Sequence, residues 1–182
     1  MIVEPIHFED KNGRDILIRG VEISDAQALI DYMRITGEET KFLLRDPSEK
    51  LMSLEQEETF LKARIEAERE AMLVAYDGEK LAGACSLMSM GPSFRYRHRC
   101  GVAIALVKAY WRCGIGRAML ARLLELAKEL GYEQAELDAI SENDAALSLY
   151  ESMGFVKYGI FPNNVKYIDD TYADATWMMK KL

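Results

Sequence analysis

Two glycines, Gly114 and Gly116, stand where the chain passes from an apolar strand into an amphipathic helix. The first amides of a helix have no partner inside the helix, and the helix dipole is positive at that end. Glycine lacks a side chain, so an anion can approach these amides closely. The sequence therefore predicts that the loop from Arg112 to Arg117 binds an anion.

The residues around these glycines argue against two common anion sites. A nucleotide-binding P-loop has Lys and then Ser or Thr after its second glycine, whereas Arg117 and Ala118 follow here. A dinucleotide-binding loop has a third small residue where Met119 stands. An ATP site and an NAD site are therefore disfavoured.

The stretch from Tyr110 to Ala118 instead resembles the acetyl-coenzyme A motif of the GNAT superfamily of N-acetyltransferases. That motif has Gln or Arg, two variable residues, Gly, one variable residue, and then Gly or Ala; Trp111 stands where Gln or Arg is usual. The stretch from Asn143 to Phe155 resembles the second GNAT signature, in which Asn and Ala precede Leu-Tyr and Gly-Phe. Both motifs together make the resemblance specific.

The resemblance implies an α/β fold of the GNAT acyl-CoA N-acyltransferase type. Its central sheet is mixed, mostly antiparallel, flanked by helices and splayed between the fourth and fifth strands. Pantetheine would lie in that gap along β-strand backbone, and the pyrophosphate would meet the amides of the glycine loop. The implied coenzyme contacts are Ile104, Leu106, Val107, Arg112, Cys113, Gly114, Ile115, Gly116, Arg117, Asn143 and Tyr150.

The implied reaction, acetyl transfer from acetyl-CoA to a primary amine, sets three requirements. A backbone amide near Leu106 can stabilise the negative charge on the carbonyl oxygen. The leaving thiolate, whose thiol pKa is about 8.5 by analogy with cysteine, needs a proton donor, and we expect Tyr150. An alkyl amine has a pKa of roughly 10.4 and must lose a proton before it attacks. Glu39 is the expected base, and spacing leaves open Glu38, Glu55, His98 and Asp138.

Plainer roles stand beside these. Asn143 can simply cap a helix, and Tyr150 can pack against apolar neighbours. Cys113 is expected beside the pyrophosphate, so direct transfer in a ternary complex is favoured over an acyl-enzyme. The cysteines form no CxxC pair and, with His7 and His98, lack metal-site spacing, which favours free thiols and no metal.

Hydrophobic periodicity and turn residues predict seven strands and four helices. Ser24 with Gln27 is expected to start the first helix, which Gly37 would interrupt, and Ser53 with Gln56 a second helix reaching about Glu70. The remaining helices follow Gly114 and Ser141. The predicted strands are Ile16 to Val21, Ala71 to Tyr76, Leu81 to Met88, Cys100 to Val107, Gln134 to Ile140, Phe155 to Ile160 and Asp174 to Lys180; the segment before Ile16 is left as strand or tail.

Length and composition limit the number of domains, the partners and the compartment. A chain of 182 residues suits one domain over residues 1–182. A net charge of −7 argues against nucleic acid as the main partner. The N-terminal residues show neither a signal peptide nor a membrane span, so a cytoplasmic protein is expected. The apolar last hairpin is compatible with a homodimer, and the alternative to an enzyme is a coenzyme A-binding regulatory module without turnover.

Overall fold

One eight-stranded sheet organises the computed structural model, which describes residues 3–182. The strand order is β1-β2-β3-β4-β5-β6-β8-β7, and β5 pairs with β6 in parallel while the other neighbours are antiparallel. The segment before Ile16 contributes a strand, so the predicted fourth and fifth strands are β5 and β6. The elements are β1 (Ile6–Glu9), β2 (Asp15–Gly20), α1 (Ala26–Glu39), α2 (Leu54–Glu66), β3 (Ala71–Asp77), β4 (Lys80–Ser89), β5 (Arg99–Leu106), α3 (Ile115–Glu129), β6 (Gln134–Ile140), α4 (Asp144–Ser152), β7 (Val156–Lys166) and β8 (Tyr172–Lys181).

The parallel pair β5–β6 is short. Its register joins residues 99–101 to residues 134–136, whereas β5 stays paired with β4 as far as Leu106. Beyond Gly101 the two strands therefore enclose an unpaired space, the β5–β6 gap. Its closed end carries an ion pair between Arg99 and the buried Glu136, with Nη2 and Oε2 2.6 Å apart.

Two apolar layers cover the sheet. On one face α3 and α4 bury Met119, Leu123 and Leu147 in a cluster that includes Val102 of β5. On the other face α1 and α2 bury a smaller cluster around Leu61. The amphipathic character predicted for α3 is confirmed, because Ile115, Met119, Leu123 and Leu126, which recur every three or four residues, are all buried. Within residues 3–182, no helix combines the length and apolar content needed to cross a membrane.

The start of α1 differs from the prediction. Ser24 and Gln27 form no capping box; the short 3-10 turn before α1 is closed reciprocally by Glu22 and Asp25. Asp25 is also held by Arg19, at 2.7 Å, and by the Tyr76 hydroxyl, at 2.7 Å. These partners lie on two strands, so tertiary contacts decide where the helix begins.

The extents of α1, α2 and β7 also differ from the predictions. Gly37 does not interrupt α1, which continues to Glu39 with Gly37 buried. The capping box of Ser53 and Gln56 is confirmed, but α2 ends at Glu66 rather than near residue 70. β7 extends through Pro162, because β7 is an edge strand and has a register shift between Phe161 and Val165.

Candidate active site

The glycine loop presents free amides at the start of α3. The first backbone bond of the helix runs from Ala118 N to Gly114 O, at 3.1 Å. The amides of Ile115, Gly116 and Arg117 therefore have no carbonyl acceptor inside the helix. Gly114 precedes the helix with a φ of 95°, a left-handed conformation that glycine adopts without strain. The loop thus has the donors that an anion site requires.

The β1–β2 hairpin braces this loop from below. A Cβ atom on Gly114 would lie 3.2 Å from the ring of Phe8, so glycine is needed for this packing. Lys11 N donates to Cys113 O at 3.1 Å, and Arg14 Nη2 lies 3.4 Å from Cys113 Sγ. Cys113 is buried by these contacts. Its side chain supports the loop, in keeping with the expectation that it is not an acyl acceptor.

The two arginines of the loop have different surroundings. The Arg117 guanidinium donates to Ser152 Oγ at 2.6 Å, so it ties α3 to α4 and leaves its amide as the anion donor. Arg112 has a φ of 60°, unusual for a residue with a side chain, and is exposed. Its guanidinium makes no ion pair with residues 3–182 and is the available cation of the loop.

Peptide groups of β5 face the β5–β6 gap. Val107 N donates to Ala82 O of β4 at 3.0 Å. Because peptide groups of an antiparallel strand point alternately to its two edges, those of Ile104 and Leu106 point toward β6. β6 does not pair with them, since the register ends at Gly101. This edge is the place predicted for pantetheine.

Val107 differs from its neighbours in the predicted set. Its amide is bonded to β4, and its carbonyl accepts from Tyr110 N at 2.9 Å. Both backbone groups are taken, so the predicted backbone pairing of pantetheine does not extend to Val107. Its side chain is half-buried and packs against both apolar clusters.

Trp111 has a role that the sequence did not indicate. Its indole Nε1 donates to Leu106 O at 2.7 Å, which links the glycine loop to the end of β5. Arg or Gln at this position could reach a phosphate, whereas the indole instead occupies a carbonyl on the gap edge. The Trp111 side chain therefore bonds to strand β5, whereas Arg or Gln at this position could bond to the ligand.

The motif elements converge at Gly116. A Cβ atom there would lie 3.2 Å from Leu106 Cδ1 and 3.5 Å from Leu149 Cδ2, so α3, β5 and α4 meet at one point. Tyr150, the next residue of α4, is buried, with its ring 5.9 Å from that of Phe155. Both the core-packing explanation and the donor hypothesis agree with this placement.

The electrostatics of Tyr150 suit a proton donor. Burial, with a smaller contribution from the Asp138 carboxylate, raises the pKa of Tyr150 to about 12. The phenol therefore keeps its proton at neutral pH. Its hydroxyl makes no hydrogen bond within the described part of the chain, so it is available to a bound group.

Asn143 caps α4, as the plainer explanation predicts: its Oδ1 accepts from Ala146 N at 3.2 Å. The amide nitrogen of the same side chain has no acceptor among residues 3–182 and remains available. Both predicted roles of Asn143 are therefore compatible.

Segments distant in sequence meet near the end of β5. Glu39, the last residue of α1, accepts from Lys108 N at 2.7 Å just beyond β5. Lys41 pairs with Glu142 at 2.8 Å, and its ammonium lies 5.7 Å from the centre of the Tyr167 ring. The end of α1 is thus fastened to the loop before α4 and to the β7–β8 turn. Lys41 and Glu142 carried no sequence signal, since they are far apart in the chain.

Two of the alternatives for the base, His98 and Glu55, lie outside the site. His98 precedes β5, so at a rise of roughly 3.3 Å per residue it lies roughly 26 Å from Leu106. Glu55 is exposed in the first turn of α2. The basic run around His98 lines a surface together with Leu130 and Gly131, at the far end of α3 from the glycine loop. That run therefore lies away from the amides of the glycine loop.

Known proteins share this architecture. An acetyltransferase of the GNAT family from Streptococcus pneumoniae superposes with a TM-score of 0.87 and 28% identity, covering 92% of this chain and 99% of that one. The N-alpha-acetyltransferase RimI of Mycobacterium tuberculosis is 37% identical over 109 residues, 58% of this chain. The chain spans 63% of the length of RimI, and 28% of the length of an uncharacterised Mycobacterium leprae protein to which it is 31% identical.

The structure of yncA from Salmonella typhimurium, solved with its cofactor acetyl-CoA, has the same fold, with a TM-score of 0.81 and 20% identity over 92% of this chain and 94% of that one. The family model described as Acetyltransferase (GNAT) family matches residues 28–155, which include the glycine loop, the gap edge of β5 and Tyr150. The chain belongs to the GNAT acetyltransferase family.

Proposed function

We propose that the protein transfers the acetyl group of acetyl-CoA directly to a primary amine of a small molecule or peptide. The observation that carries this proposal is the meeting, at Gly116, of the free amides of α3, the unpaired edge of β5 and the Tyr150 helix. Pantetheine pairs with the backbone of Ile104, the thioester carbonyl takes the Leu106 amide, and the pyrophosphate takes the loop amides and the Arg112 guanidinium. The yncA complex and family membership support acetyl-CoA as the donor.

The reaction proceeds by attack of the neutral amine on the thioester carbon. The Leu106 amide, which points into the gap, stabilises the charge on the carbonyl oxygen. The carbon–sulfur bond breaks as the tetrahedral intermediate collapses, and the Tyr150 hydroxyl donates a hydrogen bond to the departing thiolate. The raised pKa keeps this hydroxyl protonated at neutral pH, so it stabilises the thiolate until solvent protonates the sulfur.

Glu39 is the proposed base. The Lys108 amide holds its carboxylate at the end of β5, on the acceptor side. The variant Glu39→Gln keeps an oxygen that can accept from Lys108 N but cannot take a proton. We expect its turnover rate to fall at neutral pH and to recover as the pH approaches the acceptor's own pKa. A parallel pH profile for the variant and the wild type would contradict the assignment.

Two observations bear on which class of amine accepts the acetyl group. Relatives named N-alpha-acetyltransferase support a peptide N-terminal amine, whose pKa of about 7.7–8.0 leaves a neutral fraction at pH 7. The carboxylate of Glu39 on the acceptor side suits a cationic small molecule, whereas that of Glu142 is already paired with Lys41. A panel of peptides and alkyl amines, assayed for thiol release with acetyl-CoA, tests both.

Tyr150→Phe tests catalysis against simple coenzyme binding. We expect kcat to fall at least 100-fold, which is typical for the loss of a hydrogen-bond donor to a developing charge, with acetyl-CoA affinity unchanged in calorimetry. Tyr158→Phe, on the exposed face of β7, is the matched control and should behave as wild type. Acetyl-CoA binding without thiol release for any amine would favour the regulatory-module alternative instead.

We also propose a homodimer through the last hairpin. β7 is an edge strand with Val156, Ile160 and Phe161 more than half exposed, an apolar strip with a free backbone edge. A second copy can cover it by the same strand. Light scattering should give twice the chain mass, and Ile160→Glu should give the monomer; a monomeric wild type would overturn the proposal.

The proposed compartment is the cytoplasm. Cys85, Cys100 and Cys113 are buried free thiols, a state that a reducing compartment maintains.

A further inference from the structure

A cavity of about 690 Å³ lies at the opposite end of β5 from the acyl-transfer site. The loop between β4 and β5 forms one wall and the end of α3 the other. Its volume falls in the range of small-ligand sites, roughly 300–1,000 Å³. Its lining includes Arg69, Phe94, Arg95, Arg97, His98 and Glu133.

The cavity is basic in an acidic protein. The chain carries a net charge of −7, yet three arginines and a histidine face a single glutamate here. Arg95, Arg97 and His98 make no side-chain hydrogen bond or ion pair with the described residues 3–182. The charges of Arg95 and Arg97 are therefore available to an anionic ligand.

Arg69 prepares the wall for an anion. The carbonyls at a helix C-terminus carry partial negative charge and would repel a phosphate. Arg69 Nη2 donates to Arg97 O at 2.8 Å and lies 3.4 Å from the carbonyl oxygen of Leu130, which directly follows α3. Its guanidinium also stacks 4.2 Å from the centre of the Tyr132 ring. This arginine thus neutralises the helix end and fixes the loop.

An aromatic ring accompanies the free cations. Phe94 is 78% exposed, an uncommon state for a phenylalanine, and the Arg97 guanidinium lies 5.7 Å from its ring centre. Guanidinium groups bind phosphate through paired hydrogen bonds, and an exposed aromatic face stacks on a nucleobase. A ligand that joins a phosphate to a flat ring satisfies both features.

We propose that this cavity is a second ligand site, which binds a nucleoside phosphate through Arg95 and Arg97 with the base stacked on Phe94. The site is separate from the glycine loop and does not depend on the proposed acetyl transfer. The same chemistry comes from two sources, a free nucleotide or the end of a single-stranded RNA. The experiment distinguishes them.

The test is calorimetric titration of the full chain with AMP. We expect saturable binding that weakens at least tenfold in Arg95→Gln/Arg97→Gln and remains within twofold in Arg112→Gln, which alters only the glycine loop. Lys62→Gln/Lys80→Gln removes the same charge elsewhere on the exposed surface and should bind as wild type. Thermal denaturation checks that each variant is folded.

Three further arms complete the design. Phe94→Ala should weaken the binding of AMP at least fivefold but leave the binding of inorganic phosphate unchanged. An equal loss of affinity for both would overturn the stacking role. Tenfold tighter binding of a 5′-phosphorylated oligoadenylate than AMP, still dependent on Arg95 and Arg97, would identify RNA as the source. Absence of AMP and oligonucleotide binding, or AMP binding lost in Arg112→Gln and retained in Arg95→Gln/Arg97→Gln, would overturn the proposal.

Discussion

Gly83 of β4 lies opposite Leu106, so a methyl group at this position tests how closely β4 and the gap edge must approach. In Gly83→Ala the new Cβ would lie 2.2 Å from Leu106 Cδ2 and 2.9 Å from Ala105 O. The first contact can be relieved by moving a side chain, but the second involves backbone. Both residues belong to the stretch of β5 that borders the gap.

Two effects of opposite sign set the magnitude. Alanine in a strand should stabilise by about 0.5–1 kcal/mol relative to glycine, because glycine loses more entropy on folding. Overpacking a buried site costs roughly 1–3 kcal/mol. The overpacking is larger here because a backbone atom is one of the two contacts. We expect Gly83→Ala to lose about 1–2 kcal/mol of unfolding free energy, which lowers Tm by roughly 2–8 °C.

The displacement of Leu106 should also weaken the binding of acetyl-CoA. Losing one hydrogen bond of about 1 kcal/mol corresponds to roughly fivefold in the Kd for acetyl-CoA. Urea denaturation measures the stability, and calorimetry measures the affinity. Gly159→Ala is the control, since its Cβ meets nothing within 4 Å and the variant should be slightly more stable than wild type. A Gly83→Ala protein as stable as Gly159→Ala, with wild-type affinity, would refute the reasoning.

Three further predictions concern separate contacts. Trp111→Phe removes the bond to Leu106 O and should change acetyl-CoA Kd by at least fivefold with little change in Tm; an unchanged Kd in calorimetry would leave the indole without a role in the site. Arg112→Gly places glycine at a left-handed φ and should raise Tm while weakening the binding of acetyl-CoA. A lower Tm would contradict the inference that the Arg112 backbone is strained. Arg19, backbone and Tyr76 hydrogen bonds outweigh desolvation and lower the pKa of Asp25, so its stabilisation is present above the unfolded pKa of about 3.9 and is lost as pH falls through the folded pKa. Asp25→Asn should therefore lose about 2 kcal/mol at pH 7, and its deficit should shrink below pH 4 in urea denaturation; a constant deficit would exclude this origin.

Local signals in the sequence were enough for much of the fold. Ser53 and Gln56 cap α2 as a box, and the alternation from Gln134 to Ile140 matches β6 at both ends. These features depend on neighbours along the chain. Asp25 shows the opposite case, because its partners Arg19 and Tyr76 come from strands that only folding brings near.

The same distinction applies to the site. The glycine loop could be predicted because helix geometry alone leaves its amides free. The bond from Glu39 to Lys108 and the pair of Lys41 with Glu142 could not, since each joins segments far apart in the chain. Trp111 was recognised as a departure from the motif, but its partner on β5 became apparent only in three dimensions.

The short register between β5 and β6 divides the sheet into two leaves, β1 to β5 and β6 to β8, joined by a seam of three residue pairs and the Arg99–Glu136 ion pair. A ligand that pairs with Ile104 and Leu106 extends this seam and acts as an additional strand. Binding should therefore slow hydrogen exchange in both leaves, because local opening at the seam would then require dissociation. We therefore expect coenzyme binding to be thermodynamically linked to opening of the sheet.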